Sequence, residues 1–158
     1  MSNDKKAQAK KIYDSMIQAL NKKGWNFKES KDGELVIYSS YQGEDIPIEF
    51  IVKIDEDRQV LQFLSMLPFA FPEDKRVDAA IAVCVVNYML VNGSFDYNFE
   101  SGKLLFRLTT CFVDSQIGEE FFMDMLATAL LTTDEYNDKF LMLSKGVISI
   151  EQFIASVN

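Results

Sequence analysis

A chain of 158 residues is long enough to bury one sizeable core, and 48% hydrophobic with 25% charged residues is the composition of a globular protein, which excludes a disordered chain. The 24 acidic and 16 basic side chains leave a formal net charge of -8, which would repel a nucleic-acid backbone or an anionic membrane. We therefore expect no nucleic acid as a partner.

The amino terminus carries lysines but no apolar segment behind them, so it lacks the pattern of a secretory signal. The longest apolar run, Ala79–Val91, contains Asn87 and is too short to span a bilayer. We expect a cytoplasmic protein without a membrane span, in which Cys84 and Cys111 are reduced core residues.

The first predicted elements are a helix and a hairpin. Within Lys5–Lys23, apolar residues recur at spacings of three and four, which is typical of an amphipathic helix. The following Asp32-Gly33 predicts a two-residue hairpin turn, which would place Phe27 opposite Tyr38.

A second hairpin follows. Residues 46–54 are apolar at every even position, and a turn centred on Glu56-Asp57 would place Val52 opposite Leu61 and Phe50 opposite Phe63. One face of this hairpin is a core face. The other face is less polar than a solvated face should be, so we expect something to cover part of it; its apolar residues are Ile51, Leu64, Met66 and, on the preceding strand, Leu35 and Ile37.

The next helix is the first candidate for a site. Pro72 with the acidic residues after it predicts a helix start, and Gly93 predicts its end. Only Asn87 is polar between Ala79 and Val91, so we expect burial on more than one side. We interpret this helix as the centre of a homodimer and leave packing within one chain as the alternative; the predicted interface consists of Ala79, Val83, Val86 and Leu90.

Phe69 and Phe71, between Pro68 and Pro72, are the second candidate. They form either an exposed apolar lip that binds a partner peptide or two side chains that cover the edge of the core. We favour the second interpretation because large apolar residues in loops are usually buried.

A third hairpin follows Gly93. Aromatic and polar residues alternate up to Ser101-Gly102, and a two-residue turn there would pair Tyr97 with Phe106 and Asp96 with Arg107. A long helix comes next, and the capping box Ser149–Gln152 predicts a further C-terminal helix within 147–158. The predicted order is α-ββββ-α-ββ-α-α, an α+β fold in which helices pack on an antiparallel sheet, in a single domain over 1–158.

The sequence carries no signature of catalysis. It contains no His, which removes the commonest general base and metal ligand. The acidic turn Asp55-Glu56-Asp57 lacks the glycine and terminal glutamate of a calcium loop, and the 7 glycines form no phosphate-binding motif. We therefore predict no catalytic residue, metal ligand or cofactor; a small enzyme that uses carboxylates or Cys111 is the least favoured alternative.

The order of elements and four segments resemble the YbjN domain family, whose fold is similar to that of type III secretion chaperones. The segments are Val60–Leu67 running into Pro68, Val86–Gly93 with its Asn87 and Gly93, Ser94–Leu108, and the helix that begins near Gly118. The resemblance covers about 25–143 and leaves the helix over 147–158 outside the family pattern. It implies an α+β domain that dimerises, a role as a sensory transduction regulator and no catalytic residues.

These observations predict a non-catalytic, dimeric module with a chaperone-like fold, which engages a protein or peptide partner through a groove or a sheet edge. The alternative is a ligand-sensing regulator that binds a small apolar molecule.

Overall fold

The computed structural model describes residues 2–157, and their side chains from Asp4 onward. Within these residues the order of helices and strands is the predicted one, which confirms the α+β class. Residues 1 and 158, the two ends of the predicted domain, lie outside the described residues.

The helices are α1 (Ser2–Lys22), α2 (Arg76–Met89), α3 (Glu119–Ser144) and α4 (Ile150–Val157), and a 3-10 turn at Glu73–Lys75 precedes α2. The strands are β1 (Phe27–Glu29), β2 (Val36–Gln42), β3 (Pro47–Asp55), β4 (Val60–Ala70), β5 (Ser94–Asn98) and β6 (Lys103–Cys111).

All six strands form one antiparallel sheet in the order β1-β2-β3-β4-β6-β5. On its inner face, α3 packs across β3, β4 and β6, and α1 packs on α3 and β3. The core between these layers is aromatic: the rings of Phe63 on β4 and Phe122 on α3 lie 5.6 Å apart, and both are buried. The second layer continues with α2, which packs on β5, α3 and α4.

The predicted register of the first hairpin is wrong by one residue. Phe27 lies opposite Ser39, and Tyr38 lies opposite Lys28. The connection is longer than two residues, since the N–H of Ser30 donates to the carbonyl of Val36. This register turns Ile37 into the core, opposite Val52, so the prediction that Ile37 lies on the outer face is also wrong.

The registers predicted for the other two hairpins are wrong by two residues. Val52 pairs with Phe63 instead of Leu61, because the turn spans four residues and places Gln59 at φ 53°. Tyr97 pairs with Leu104 instead of Phe106, because the chain turns over residues 99–102. A slip of two preserves the face of every side chain, so the predicted core faces of these hairpins remain.

The strand β4 passes through Pro68 and continues to Ala70. Its pairing with β6 passes from Met66 opposite Leu105 to Ala70 opposite Lys103. Three residues of β4 therefore lie opposite one residue of β6, and Pro68, which has no N–H to donate, is among them.

Candidate binding surfaces

The outer face of the sheet carries apolar side chains that the chain leaves accessible. Pairing places Tyr38, Ile51 and Leu64 side by side on β2, β3 and β4. Pairing also places Met66 beside Leu105 on β6. Tyr38 is 43% exposed and the other four are half-buried. The prediction that this face is only partly polar is thus confirmed for Ile51, Leu64 and Met66.

Two clefts open on this face. The first, about 430 Å³, lies over β1, β2 and β3, between Lys28, Tyr38 and Ile51. The second, about 820 Å³, lies at the irregular pairing of β4 with β6 and is called here the bulge cleft; its apolar lining includes Met66, Pro68, Phe69 and Leu105. Glu49 and Met66 line both clefts, so the two form one continuous feature, the outer groove.

Charged side chains lie among the apolar residues that line the outer groove. Arg107 on β6 donates to the carboxylate of Asp96 on β5 at 2.8 Å, which neutralises one end of the bulge cleft. Glu49 and Lys103 are exposed, and neither belongs to an ion pair among the described residues. Lys28, which lines the first cleft, is likewise exposed and outside any ion pair among the described residues. The outer groove therefore combines an apolar floor with the unpaired charges of Glu49, Lys28 and Lys103.

The two predicted lip residues, Phe69 and Phe71, differ in burial in the structure. Phe71 is only 2% exposed and packs edge-on against Tyr97 and Phe140, at ring distances of 6.0 and 6.4 Å. Phe69 is half-buried, lies 6.1 Å from Phe71 and lines the bulge cleft. Phe71 thus covers the core edge, as the favoured interpretation has it, and Phe69 is accessible from the groove.

The helix α2 has one buried and one exposed side. Three of the four residues predicted for the dimer interface, Ala79, Val83 and Val86, are buried within the chain, and Leu90 is half-buried. The apolar side chains of α2 that reach solvent belong to other positions, chiefly Val77, Ile81, Tyr88 and Met89, with exposures of 62, 42, 88 and 46%. A single chain does not test the predicted interface, which stays a prediction.

Both cysteines are exposed, so the expectation that they are core residues is wrong. Cys84 lies on the exposed side of α2, three residues after Ile81. Cys111 is the last residue of β6. The apolar neighbours of Cys84 in sequence suggested burial, but helical periodicity turns it away from Val83 and Val86.

Sequence reasoning did not identify Tyr38 and Leu105 as part of a surface. The sequence predicted Ile37, and not its neighbour Tyr38, on the outer face, and the one-residue error in register explains the difference. Leu105 belongs to the groove only because β6 pairs with β4 across more than thirty intervening residues. The residual apolarity of Ile51, Leu64 and Met66 was the one signal of this surface available in the sequence.

Tyr97 and Tyr13 have pKa values that differ from the ordinary tyrosine pKa. Burial raises the pKa of Tyr97, and the nearby guanidinium of Arg76 offsets part of that effect. The pKa of Tyr13 is also raised, by burial and by its hydrogen bond to Glu29, and neither residue lines the outer groove. Residues 2–157 contain no cluster of three potential metal-binding side chains, and none of their helices is long and apolar enough to cross a membrane.

The family model described as "Putative bacterial sensory transduction regulator", YbjN, matches residues 13–142. The match therefore covers the C-terminal half of α1, the whole sheet, α2 and nearly all of α3. No curated protein matches the chain.

Three solved structures share the fold. The crystal structure of YbjN, "a putative transcription regulator from E. coli", is 13% identical with a TM-score of 0.59, over 79% of this chain and 90% of that one. A chain of the ExsC-ExsE complex is 15% identical with a TM-score of 0.57, over 82% and 93%. A chain of the HopA1-SchA chaperone-effector complex is 9% identical with a TM-score of 0.55, over 78% and 91%. These likenesses confirm the predicted type III secretion chaperone-like fold.

Proposed function

This chain belongs to the YbjN family, whose model is described as "Putative bacterial sensory transduction regulator", and on that premise we propose that it is a non-catalytic, dimeric binding module that engages a protein or peptide partner. The outer groove is the observation that carries the proposal. It exposes apolar side chains of four neighbouring strands in one continuous depression. Accessible apolar surface of this kind is typical of interaction sites on soluble domains.

Two of the similar structures support a protein as the occupant. They are complexes, one of ExsC with ExsE and the other a chaperone with its effector. By analogy, the partner of this chain would place apolar side chains on Met66 and Leu105 and satisfy the free charges of Glu49 and Lys103 at the sides. The proposal includes a cytoplasmic location.

The proposed dimer forms through α2. Ala79, Val83 and Val86 hold this helix on its own chain, while the exposed Val77 and Ile81 would meet the same side chains of a second copy. The net charge of -8 opposes association because two copies repel one another, so the proposed dimer relies on these apolar contacts for its stability.

Affinity capture with matched variants tests the partner site. Wild type, Leu105→Glu and Leu131→Glu would be used to capture proteins from the source cells, followed by binding measurements with the purified partner. Leu105 lines the groove, whereas Leu131 is a 61% exposed leucine of α3 outside it. We expect a partner that wild type and L131E retain and that L105E binds at least about tenfold more weakly, a difference of 1.4 kcal/mol.

Thermal unfolding of each variant would first establish that L105E is folded. A partner that binds L105E as tightly as wild type, or that L131E weakens equally, would place the site elsewhere and refute the groove as the binding surface.

The volume of the bulge cleft favours one second candidate, a regulator that binds a small apolar molecule. At about 820 Å³, the bulge cleft is within the range of small-molecule sites, about 300–1,000 Å³. Leu105→Trp would fill the cleft, and Leu131→Trp is its control. If this candidate is correct, a lipid or metabolite will raise the melting temperature of wild type and L131W but not of L105W. If no compound in a panel of lipids and metabolites raises the melting temperature of wild type, the result counts against this candidate.

A further inference from the structure

The last strand of the sheet, β5, has a neighbour on one side only. It pairs with β6 and ends the strand order. In an antiparallel sheet, alternate residues of an edge strand direct both their N–H and their carbonyl away from the sheet. Such an edge is a template on which a strand of another chain can pair.

At Phe95, the side chain of Asn87 occupies this edge of β5. The backbone N–H of Phe95 donates to Oδ1 of Asn87 at 2.8 Å, and Nδ2 of Asn87 donates to the carbonyl of Phe95 at 3.0 Å. These are the two hydrogen bonds that a residue of a neighbouring strand would make with Phe95. A single amide of α2 therefore takes the place of a strand residue.

The connection between α2 and β5 holds this amide in position. Asn87 and Phe95 are eight residues apart, and Gly93 between them turns the chain at φ 80°. A Cβ on Gly93 would lie 2.3 Å from the ring of Phe106, so only glycine fits at this turn without displacement of a core ring. The single polar residue of the apolar stretch Ala79–Val91 thus lies where the edge needs a donor and an acceptor.

We propose that Asn87 closes the β5 edge and prevents this strand from pairing with a strand of a second copy of this chain. The other edge strand, β1, has only three residues, which limits pairing there by length. The consequence for recognition is that a partner binds the faces of this fold and not its β5 edge. The inference is independent of the proposed dimer, since Asn87 faces β5 and Ile81 faces solvent.

Amide hydrogen exchange and sedimentation of Asn87→Ala test the inference, with Asn92→Ala as the control because Asn92 is an exposed asparagine just beyond α2. In dilute N87A we expect the Phe95 amide to exchange at least about tenfold faster than in wild type, since its acceptor is gone. In concentrated N87A we expect species larger than those of wild type, with the Phe95 and Tyr97 amides slowed again by intermolecular pairing. N92A should match wild type throughout.

An unchanged Phe95 exchange rate in N87A would overturn the inference, and so would N87A that sediments as wild type does at every concentration. If N87A does not fold, Asn87→Asp carries the test. Aspartate keeps the acceptor for the Phe95 N–H and loses the donor to its carbonyl, so we expect a protected Phe95 amide together with concentration-dependent association. N87D that matches wild type in association would overturn the inference.

Discussion

At the scale of single residues, the hydrogen bonds at the start of the C-terminal helix are those that the sequence predicts. Ser149 and Gln152 form the predicted capping box: the N–H of Ser149 donates to the Gln152 side chain at 2.8 Å, and the N–H of Gln152 donates to Oγ of Ser149 at 3.3 Å. All the atoms involved belong to four consecutive residues, so the sequence contains everything that decides this geometry.

The two glycines Gly24 and Gly93 differ in their surroundings. Both have positive φ, but a Cβ on Gly24 would meet nothing within 4 Å, whereas one on Gly93 would meet Phe106 and the carbonyl of Arg107. We expect Gly93→Ala to lower the free energy of unfolding by at least about 2 kcal/mol and Gly24→Ala by about 1 kcal/mol. Urea unfolding of both variants measures this difference. Equal losses of unfolding free energy would show that the Phe106 ring moves aside without a measurable energetic cost.

The carboxylate of Asp55 accepts a hydrogen bond from the backbone N–H of Arg58 at 2.9 Å, and this bond lowers the pKa of Asp55. A lowered pKa means that the contribution to stability is present above the ordinary aspartate pKa of about 3.9 and is lost as the pH falls through the lower folded pKa. We expect the Arg58 amide resonance to titrate with a midpoint below the ordinary aspartate pKa of about 3.9. The same resonance in Asp55→Asn should not titrate, and a midpoint above 4 in wild type would contradict the assignment.

At the scale of elements, periodicity predicted faces better than partners. Two hairpins slipped by two residues and retained their core faces, and the ion pair of Asp96 with Arg107 formed diagonally although Asp96 lies opposite Leu105. The register of the first hairpin differs by one residue from the predicted one. Ile37 therefore lies on the core face and Tyr38 on the outer face, the reverse of the prediction. Turn length sets register, and each turn proved longer than two residues because backbone and side-chain bonds favoured the larger loops.

The amino-acid composition of α2 does not predict which side of the helix is buried. Its length and apolar content were predictable, but its two sides were not distinguished, since nearly every position is apolar. Val86 is completely buried, and Val113, outside this helix, is 50% exposed. We expect Val86→Asp to lower the free energy of unfolding by more than about 3 kcal/mol and Val113→Asp by less than about 0.5 kcal/mol.

Urea unfolding at one fixed protein concentration is the measurement, because an associating protein gains apparent stability with concentration. A Val86→Asp protein as stable as Val113→Asp would mean that α2 is not packed on its own chain through this side.

At the scale of the whole molecule, α2 leaves an apolar side unpaired. If this side forms the proposed dimer, Ile81→Glu should raise the dissociation constant at least about tenfold, whereas Val113→Glu, a charge on another exposed apolar position, should leave it unchanged. Sedimentation equilibrium measures both constants. A wild-type monomer at tens of micromolar, or an I81E dimer as stable as wild type, would refute the α2 interface.

The two exposed cysteines supply a second readout of the same interface. Cys84 lies on the exposed side of α2, whereas Cys111 ends β6. Mild oxidation should therefore link two copies of wild type and of Cys111→Ser through Cys84, and the link should be absent from Cys84→Ser. Equal cross-linking in both single variants would indicate random collision.

The sequence by itself determined the class of fold, the order of elements, the core faces of two hairpins and the C-terminal cap, because alternation, helical periodicity and capping are properties of neighbouring residues. Only the tertiary structure decided the outer groove, the two sides of α2 and the pairing of Asn87 with Phe95. Those features depend on β4 meeting β6 and on α2 lying against β5. Such contacts between distant segments are set by packing of the whole core, which no local pattern specifies.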